Sequence, residues 1–256
     1  GWGPWPGRGK GWRGPFGWEA KRPCVGGCPA EWDQDSFGAC TSLPGTPEHV
    51  WEARRESFND GDAVGTMTDY GANATDLVQA TAGNKPTYRS SGGPGNRPYF
   101  SFDGADYVKS AAEGTNLAQP NLVVLVVQTN TTAAITVTDG FDSNPRTRIG
   151  LTSTNAPWQL QTSATTLSAN NTVTNGQWEV FIGTINGASS TLRLSGFDRA
   201  TGDAGAHAYA PGTVGCNFSG AACLNGGIAL FAVYDTPPDI PTLEAAIEDC
   251  YGEFPQ

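Results

Sequence analysis

The stretch Phe102-Asp103-Gly104-Ala105-Asp106-Tyr107-Val108 decides the fold class, because it is a turn between two short apolar segments. Residues 98–102 and 107–110, on either side, are rich in aromatic and β-branched residues. Asp and Gly favour a tight turn, since Gly tolerates positive φ and Asp hydrogen-bonds to the nearby backbone. The stretch therefore predicts two strands joined by a turn.

Two motifs precede this stretch and an apolar run follows it. The first is Asn59-Asp60-Gly61-Asp62-Ala63-Val64, and the second extends from Asp69 through Gln79-Ala80-Thr81-Ala82 to Tyr88. Downstream, residues 122–127 are all Leu or Val. In this order and spacing the motifs resemble those of the concanavalin A-like (laminin G-like) jelly rolls, in their bacterial and phage virion-associated branch. The resemblance covers about residues 50–252 and implies a two-sheet antiparallel sandwich.

The composition fits one all-β domain. Only 16% of the 256 residues are charged, and the chain has 34 glycines and 18 prolines. Such chains form many short strands joined by turns, and all-β domains of this length often form one unit. We predict an all-β jelly-roll sandwich over residues 46–256, with an extended N-terminal arm over 1–45 and a short C-terminal helix. No apolar run reaches the roughly 18 residues of a membrane span.

Alternation and short apolar runs locate nine strands. They are expected near residues 98–102, 107–110, 121–128, 134–138, 147–151, 158–162, 178–185, 191–195 and 228–234. The run 122–127 is apolar on both faces, so we expect a central strand there. Asn186-Gly187 predicts a hairpin turn with positive φ.

A single helix is predicted near residues 240–250. Asp239 is its expected cap, Pro241 suits its first turn, and Gly252 is the stop signal. The apolar positions recur at helical spacing and define one buried face, formed by Leu243, Ala246, Ile247 and Cys250.

The net charge of −10 is unevenly distributed. Residues 1–23 contain five Lys and Arg residues and one Glu, a net charge of +4, which leaves −14 on the remainder. A domain this acidic repels phosphate backbones, so we expect no nucleic-acid partner.

Six cysteines favour an oxidising environment. Cys216 and Cys223 flank a Gly/Ser/Ala-rich loop and predict a local disulfide. Cys24, Cys28, Cys40 and Cys250 leave several pairings open; because the chain ends of jelly rolls tend to lie close together, the resemblance implies a bridge from the N-terminal segment to Cys250. The alternative, a zinc site formed by the first three of these cysteines and His49, matches no standard finger spacing. We predict no metal and no cofactor.

The sequence lacks the catalytic motifs of enzymes that share this fold. Retaining glucanases need two carboxylates about 5 Å apart, supplied by a Glu-x-Asp-x-Glu strand, and no such motif occurs. Polysaccharide lyases of the fold use a Gln-x-His strand motif, and neither His49 nor His207 lies in one. We therefore predict a non-enzymatic protein. The acidic turns at Asp60-Gly61-Asp62 and at residues 103–106 are candidates for calcium, with simple turn formation as the alternative.

Glycan binding by a jelly roll uses exposed aromatic side chains together with polar residues on loops. The candidates lie in one inter-strand region and its flank, and they are Trp158, Asp139, Asp142, Asn144 and Arg146. The alternative is that Trp158 fills the core and Arg146 pairs with a surface carboxylate.

The N-terminal arm contains five tryptophans on a Gly/Pro-rich backbone, namely Trp2, Trp5, Trp12, Trp18 and Trp32. Because indoles need a surface that buries them, the arm either lies on its own domain or anchors the protein to neighbouring subunits, and we favour the second. This predicts a structural protein on the surface of a virus (phage) particle that contacts other virion subunits and host polysaccharide. The alternative is a secreted, extracellular bacterial carbohydrate-binding or adhesion module, and a third hypothesis is a hydrolase or lyase.

Overall fold

The computed structural model describes residues 42–111, 116–130, 133–141, 147–152, 157–162, 165–170 and 173–255. These residues form sixteen strands, one α-helix and four single-turn 3-10 helices. The strands are β1 (His49–Glu52), β2 (Thr66–Met67), β3 (Leu77–Val78), β4 (Thr87–Arg89), β5 (Tyr99–Asp103), β6 (Val108–Ser110), β7 (Asn121–Thr129), β8 (Ile135–Gly140), β9 (Thr147–Leu151), β10 (Gln159–Thr162), β11 (Thr165–Ser168), β12 (Trp178–Ile185), β13 (Ser190–Leu194), β14 (Phe197–Gly202), β15 (Pro211–Val214) and β16 (Asn225–Tyr234). The helices are α1 (Ile240–Tyr251) and the 3-10 turns Ala53–Arg55, Ala82–Asn84, Pro94–Asn96 and Gly187–Ser189.

The strands form two antiparallel sheets of eight strands each. The first has the order β14-β13-β12-β7-β16-β5-β4, with β1 paired to the far half of β16. The second has the order β11-β10-β9-β8-β15-β6-β3-β2. The predicted antiparallel sandwich is confirmed, and all nine predicted strands are present.

Strand β7 is central in the first sheet, between β12 and β16. Its residues 122–127 are fully buried on both faces. Val123, Leu125 and Val127 face the inter-sheet core, whereas Leu122, Val124 and Val126 belong to a second apolar layer under α1. The two-sided apolar run thus gives the first sheet a packed layer on each face.

Helix α1 covers the outer face of the first sheet as predicted. The Asp239 carboxylate accepts a hydrogen bond from Thr242 N at 3.1 Å, and Gly252 ends the helix with φ of +80°. The four predicted face residues are buried, together with Tyr251. No helix in the described part of the chain is long and apolar enough to cross a membrane.

The hairpin between β12 and β13 differs in detail from the prediction. Only Gly187 has positive φ (+51°), whereas Asn186 is at −151°. The connection is a four-residue loop containing a 3-10 turn, in which Ser190 Oγ donates to Gly187 O at 2.8 Å. The longer loop removes the need for positive φ at Asn186, which a two-residue turn would impose.

The motifs near the start of the domain build turns. The Asp69 carboxylate accepts hydrogen bonds from Val50 N, Gly71 N and Thr75 N, each at 2.8 Å. Gln79 Nε2 donates to Tyr107 O at 3.0 Å and so joins two motifs that are 28 residues apart. The order and spacing of the motifs therefore reflect contacts within one network of loops.

Candidate binding pocket on the outer face of the second sheet

A row of polar side chains crosses the outer face of the second sheet. On its strands Val108, Val214, Ile149 and Leu160 face the core. Their neighbours point the other way and lie in register from strand to strand. We call these residues the polar row: Lys109, Thr213, Asp139, Arg148 and Gln161.

A loop closed by a disulfide folds over this row. Cys216 and Cys223 are bonded to each other, so the predicted disulfide is confirmed. Within the loop, Asn217 Oδ1 accepts hydrogen bonds from Ser219 N (3.1 Å) and Ala221 N (2.8 Å). We call residues 216–223 the disulfide loop; its internal hydrogen bonds hold its shape.

Asp139 attaches the disulfide loop to the sheet. Its Oδ2 accepts a hydrogen bond from Phe218 N at 2.9 Å. Asp139 is fully buried, and so is Tyr209 nearby, whose pKa is raised mainly by burial and to a smaller extent by the negative charge of Asp139. Asp139 therefore positions Phe218, and its predicted role in glycan binding stays a prediction.

The loop and the sheet enclose a pocket of about 240 Å³. The rings of Phe141 and Phe218 meet edge to face at its side, with centroids 6.1 Å apart. Phe218 is 38% exposed and Val78 is 37% exposed, both unusual for large apolar side chains. We call this depression the aromatic pocket; its lining includes Val78, Lys109, Phe141, Gly212, Thr213 and Phe218.

The polar groups of the aromatic pocket are few and specific. Thr213 is 1% exposed, and its Oγ1 has no hydrogen-bond partner in the described structure. Lys109 is exposed, and its Nζ lies 5.9 Å from the centroid of the Tyr107 ring. A buried hydroxyl without a partner loses the hydrogen bonds that water would give it, so a ligand that reached it would recover part of that loss.

The prediction that Trp158 stacks on a glycan is wrong, because the side chain is fully buried. Its ring packs 5.6 Å from that of Phe181, and its Nε1 donates to Glu179 Oε2 at 2.7 Å. Burial raises the pKa of Glu179, and this hydrogen bond and the charge of Arg199 oppose that rise. Trp158 therefore fills the core, the alternative that the sequence had left open.

Several predicted residues lie outside the described residues. Among the glycan-binding candidates these are Asp142, Asn144 and Arg146, and in the N-terminal arm they are Trp2, Trp5, Trp12, Trp18 and Trp32. The same holds for Cys24, Cys28 and Cys40. Cys250 takes part in a disulfide. The roles predicted for the residues outside the described ranges stay predictions, and so does the partner of Cys250.

Four residues of the pocket were not predicted from the sequence, namely Lys109, Phe141, Thr213 and Phe218. Phe218 lies between two cysteines that were predicted to pair, which was the one available signal. Lys109 and Thr213 are 104 residues apart in sequence and meet only because β6 pairs with β15. Such a contact follows from strand order, which the local sequence does not carry.

The acidic turns use their carboxylates to hold the backbone. Asp62 Oδ2 accepts from Asn59 N at 2.8 Å, and Asp60 Oδ1 accepts from Ser90 N at 3.0 Å. Asp106 Oδ2 accepts from Asp103 N at 3.0 Å. In the described ranges no group of three or more His, Cys, Asp or Glu side chains is placed to hold a metal ion.

The fold of this chain is similar to that of several solved structures. No protein-family model and no curated protein matches the chain. Among solved structures, domain 4 of an extracellular GH43 arabinanase from Geobacillus stearothermophilus, in complex with arabinotriose, is similar over 78% of this chain and 98% of its own length, with a TM-score of 0.58 and 15% identity. The likeness is one of fold.

Two longer proteins are similar in the same way. A Trypanosoma rangeli sialidase in complex with sialic acid matches 86% of this chain but 37% of its own length, with a TM-score of 0.55 and 12% identity. An arabinofuranosidase complexed with arabinofuranosyl-alpha-1,2-xylobiose matches 84% of this chain and 60% of its own, with a TM-score of 0.53 and 8% identity. The chain therefore shares a two-sheet antiparallel β-sandwich fold with these proteins.

Proposed function

We propose that this chain is a non-enzymatic carbohydrate-binding module that holds a sugar ring in the aromatic pocket. The observation that carries the proposal is the pairing of a solvent-exposed Phe218 ring with the unpartnered hydroxyl of Thr213 in one depression. A sugar presents apolar C–H faces and hydroxyl edges, and it needs an aromatic surface and a small number of placed polar groups.

The size of the pocket suits a short part of a glycan. Its volume of about 240 Å³ is below the roughly 300–1,000 Å³ of sites that enclose drug-sized ligands. One ring can enter the pocket while neighbouring sugars lie along the exposed part of the sheet. The module would therefore bind a chain end or one residue of a longer chain.

The stacking contribution can be worked from the exposure of Phe218. An aromatic side chain presents about 150–250 Å², so covering the exposed 38% removes about 60–100 Å² from water. At about 25 cal/mol per Å² this contributes about 2 kcal/mol from the protein side alone. That is enough to make Phe218 the main determinant of a weak, reversible interaction.

The fold comparisons support a carbohydrate ligand. The arabinanase domain was solved with arabinotriose, and the sialidase with sialic acid. The first of these proteins is extracellular, and the disulfide of our chain is typical of an oxidising compartment, which supports a secreted or extracellular location.

The side chains that line the pocket support a purely binding role. None of the described side chains that line it is Asp, Glu, His or Cys, the groups that general acid-base or nucleophilic catalysis needs. An assay for reducing sugars released from the bound polysaccharide tests this; release above that of a Phe218→Ala variant would contradict it.

Of the two functions predicted from the sequence, the secreted carbohydrate-binding module is the better supported. The virion role and its anchoring arm depend on residues 1–45, most of which lie outside the described residues, and they stay predictions. A virion glycan-binding protein would use the same pocket.

Affinity electrophoresis through gels that contain one soluble polysaccharide each, followed by calorimetry on the best ligand, tests the proposal. We expect Phe218→Ala to weaken binding about tenfold or more, since the roughly 2 kcal/mol of stacking is lost. The matched control is Phe197→Ala, which removes an equally exposed aromatic ring (42%) from β14 of the other sheet. Equal losses in both variants, or no retardation by any polysaccharide, would contradict the proposal.

A further inference from the structure

The polar lining of the aromatic pocket is rich in donors. Lys109 supplies an ammonium group with three donors and no acceptor, and the remaining polar side chains are the hydroxyls of Ser110 and Thr213. No carboxylate or carboxamide side chain is part of the described lining. The hydroxyls of a neutral sugar each bring a proton that needs an acceptor, and here only hydroxyls and backbone carbonyls can accept it.

We infer that the ligand is a pyranose that carries a carboxylate, such as a uronic or sialic acid. This inference rests on the proposed function and narrows its substrate class. A carboxylate accepts hydrogen bonds and donates none, so it matches the donors that the pocket offers. Its hydrogen bond to an ammonium group is about twice as strong as one between neutral groups.

The charge of Lys109 is available for such a ligand. Lys109 points away from the core on β6, and in the described part of the chain no carboxylate forms an ion pair with its Nζ. The contact of its ammonium group with the Tyr107 ring keeps this cation beside the pocket without neutralising it.

The acidic residue nearest along the polar row does not compete for this charge. Asp139 lies one strand beyond Thr213 and is fully buried. One of its carboxylate oxygens already accepts a hydrogen bond from Phe218 N. Arg148 is its partner in register on the next strand. Among the described lining residues, Lys109 is thus an exposed cation that would attract an anion.

Calorimetry with three acidic probes tests the inference: trigalacturonate, a glucuronate disaccharide and sialyllactose, each compared with its methyl ester. The ester keeps the ring and removes the charge. We expect at least one acid to bind about tenfold more tightly than its ester, and Lys109→Gln to abolish that preference, so that acid and ester bind equally.

The control for net charge is Arg89→Gln, which removes an exposed cation from the other sheet and should leave both affinities unchanged. Equal binding of acid and ester in all three pairs would overturn the inference, and so would equal effects of the Lys109 and Arg89 variants. If neutral glycans bind through Phe218 in that case, the proposed function stands and only the acidic ligand is wrong. If no sugar binds and Phe218→Ala changes nothing, both are wrong.

Discussion

Removing the Cys216–Cys223 disulfide should lower the stability of the chain strongly but its affinity for the glycan only moderately. The test is the double variant Cys216→Ala/Cys223→Ala. Alanine is chosen over serine because a serine at the fully buried position 216 would bury a hydroxyl without a partner. Cys250 and its disulfide are left intact in this variant.

The magnitude follows from the size of the loop. The two cysteines are seven residues apart, so the bond closes a loop of about eight residues in the unfolded chain. The chain-entropy relation then gives about 2.5 kcal/mol at 25 °C, and loss of the buried Cys216 sulfur from the core adds about 1 kcal/mol. We expect the free energy of unfolding to fall by about 3.5 kcal/mol.

Affinity for the glycan should fall much less. The hydrogen bonds to Asn217 Oδ1 and the bond from Phe218 N to Asp139 remain in the variant and each contribute about 1 kcal/mol. We expect a loss of three- to tenfold, of the order that a modest loosening of the loop would cause. The complementary variant Asn217→Ala keeps the disulfide and the backbone hydrogen bonds of the loop and removes those to Asn217 Oδ1, so it should lower affinity with a smaller loss of stability.

Urea denaturation followed by fluorescence measures the free energy of unfolding, and calorimetry with the best glycan measures the affinity. An unchanged free energy of unfolding would refute the argument from loop closure. Complete loss of binding in the double variant, with the fold intact, would show that hydrogen bonds alone do not hold the loop.

Two further predictions concern buried groups away from the pocket. Burial and the nearby charge of Asp103 raise the pKa of Asp106 from 3.8 to about 6, so the native state keeps a proton that the unfolded state releases. The free energy of unfolding should therefore fall by about 2 kcal/mol as the pH rises from about 4 to about 6, and Asp106→Asn should remove this part of the dependence in pH-dependent urea titrations; parallel curves would contradict it. Trp158→Phe removes the hydrogen bond to Glu179 and should lower the free energy of unfolding by about 2–3 kcal/mol without changing glycan affinity. A loss of affinity as large as that of Phe218→Ala would instead return Trp158 to the binding site.

The elements that could be predicted are those whose signal is local. Residues 122–127 form a central strand because six consecutive Leu and Val residues can be buried only between two apolar layers. Helix α1 has its cap, its apolar spacing and its terminal glycine within 14 residues. In contrast, β2 and β3 have two residues each, too few for any periodicity to show.

The binding pocket was harder to predict because its parts come from distant segments. The β8–β15 pairing contains a bulge between Pro211 and Thr213, and this bulge breaks the strict alternation that identifies outward-facing side chains in a regular strand. The error at Trp158 has a simpler cause. Trp158 is two residues before Leu160 and four before Thr162, and all three face inward, so strand alternation alone would have assigned the indole to the core.

The disulfide loop is attached to the sandwich by its two cysteines and by Phe218 N. This attachment determines which part of the sequence can vary without altering the fold. The six residues between the cysteines contribute one wall of the pocket, while the sheet beneath contributes the floor and the fold. The loop contacts strand β8 through its backbone, since Ala222 O accepts a hydrogen bond from Thr136 N, so substitutions of its side chains leave this pairing in place. Ligand choice can therefore diversify in a six-residue segment while the sandwich stays constant, and the segment can be exchanged between related chains as one piece.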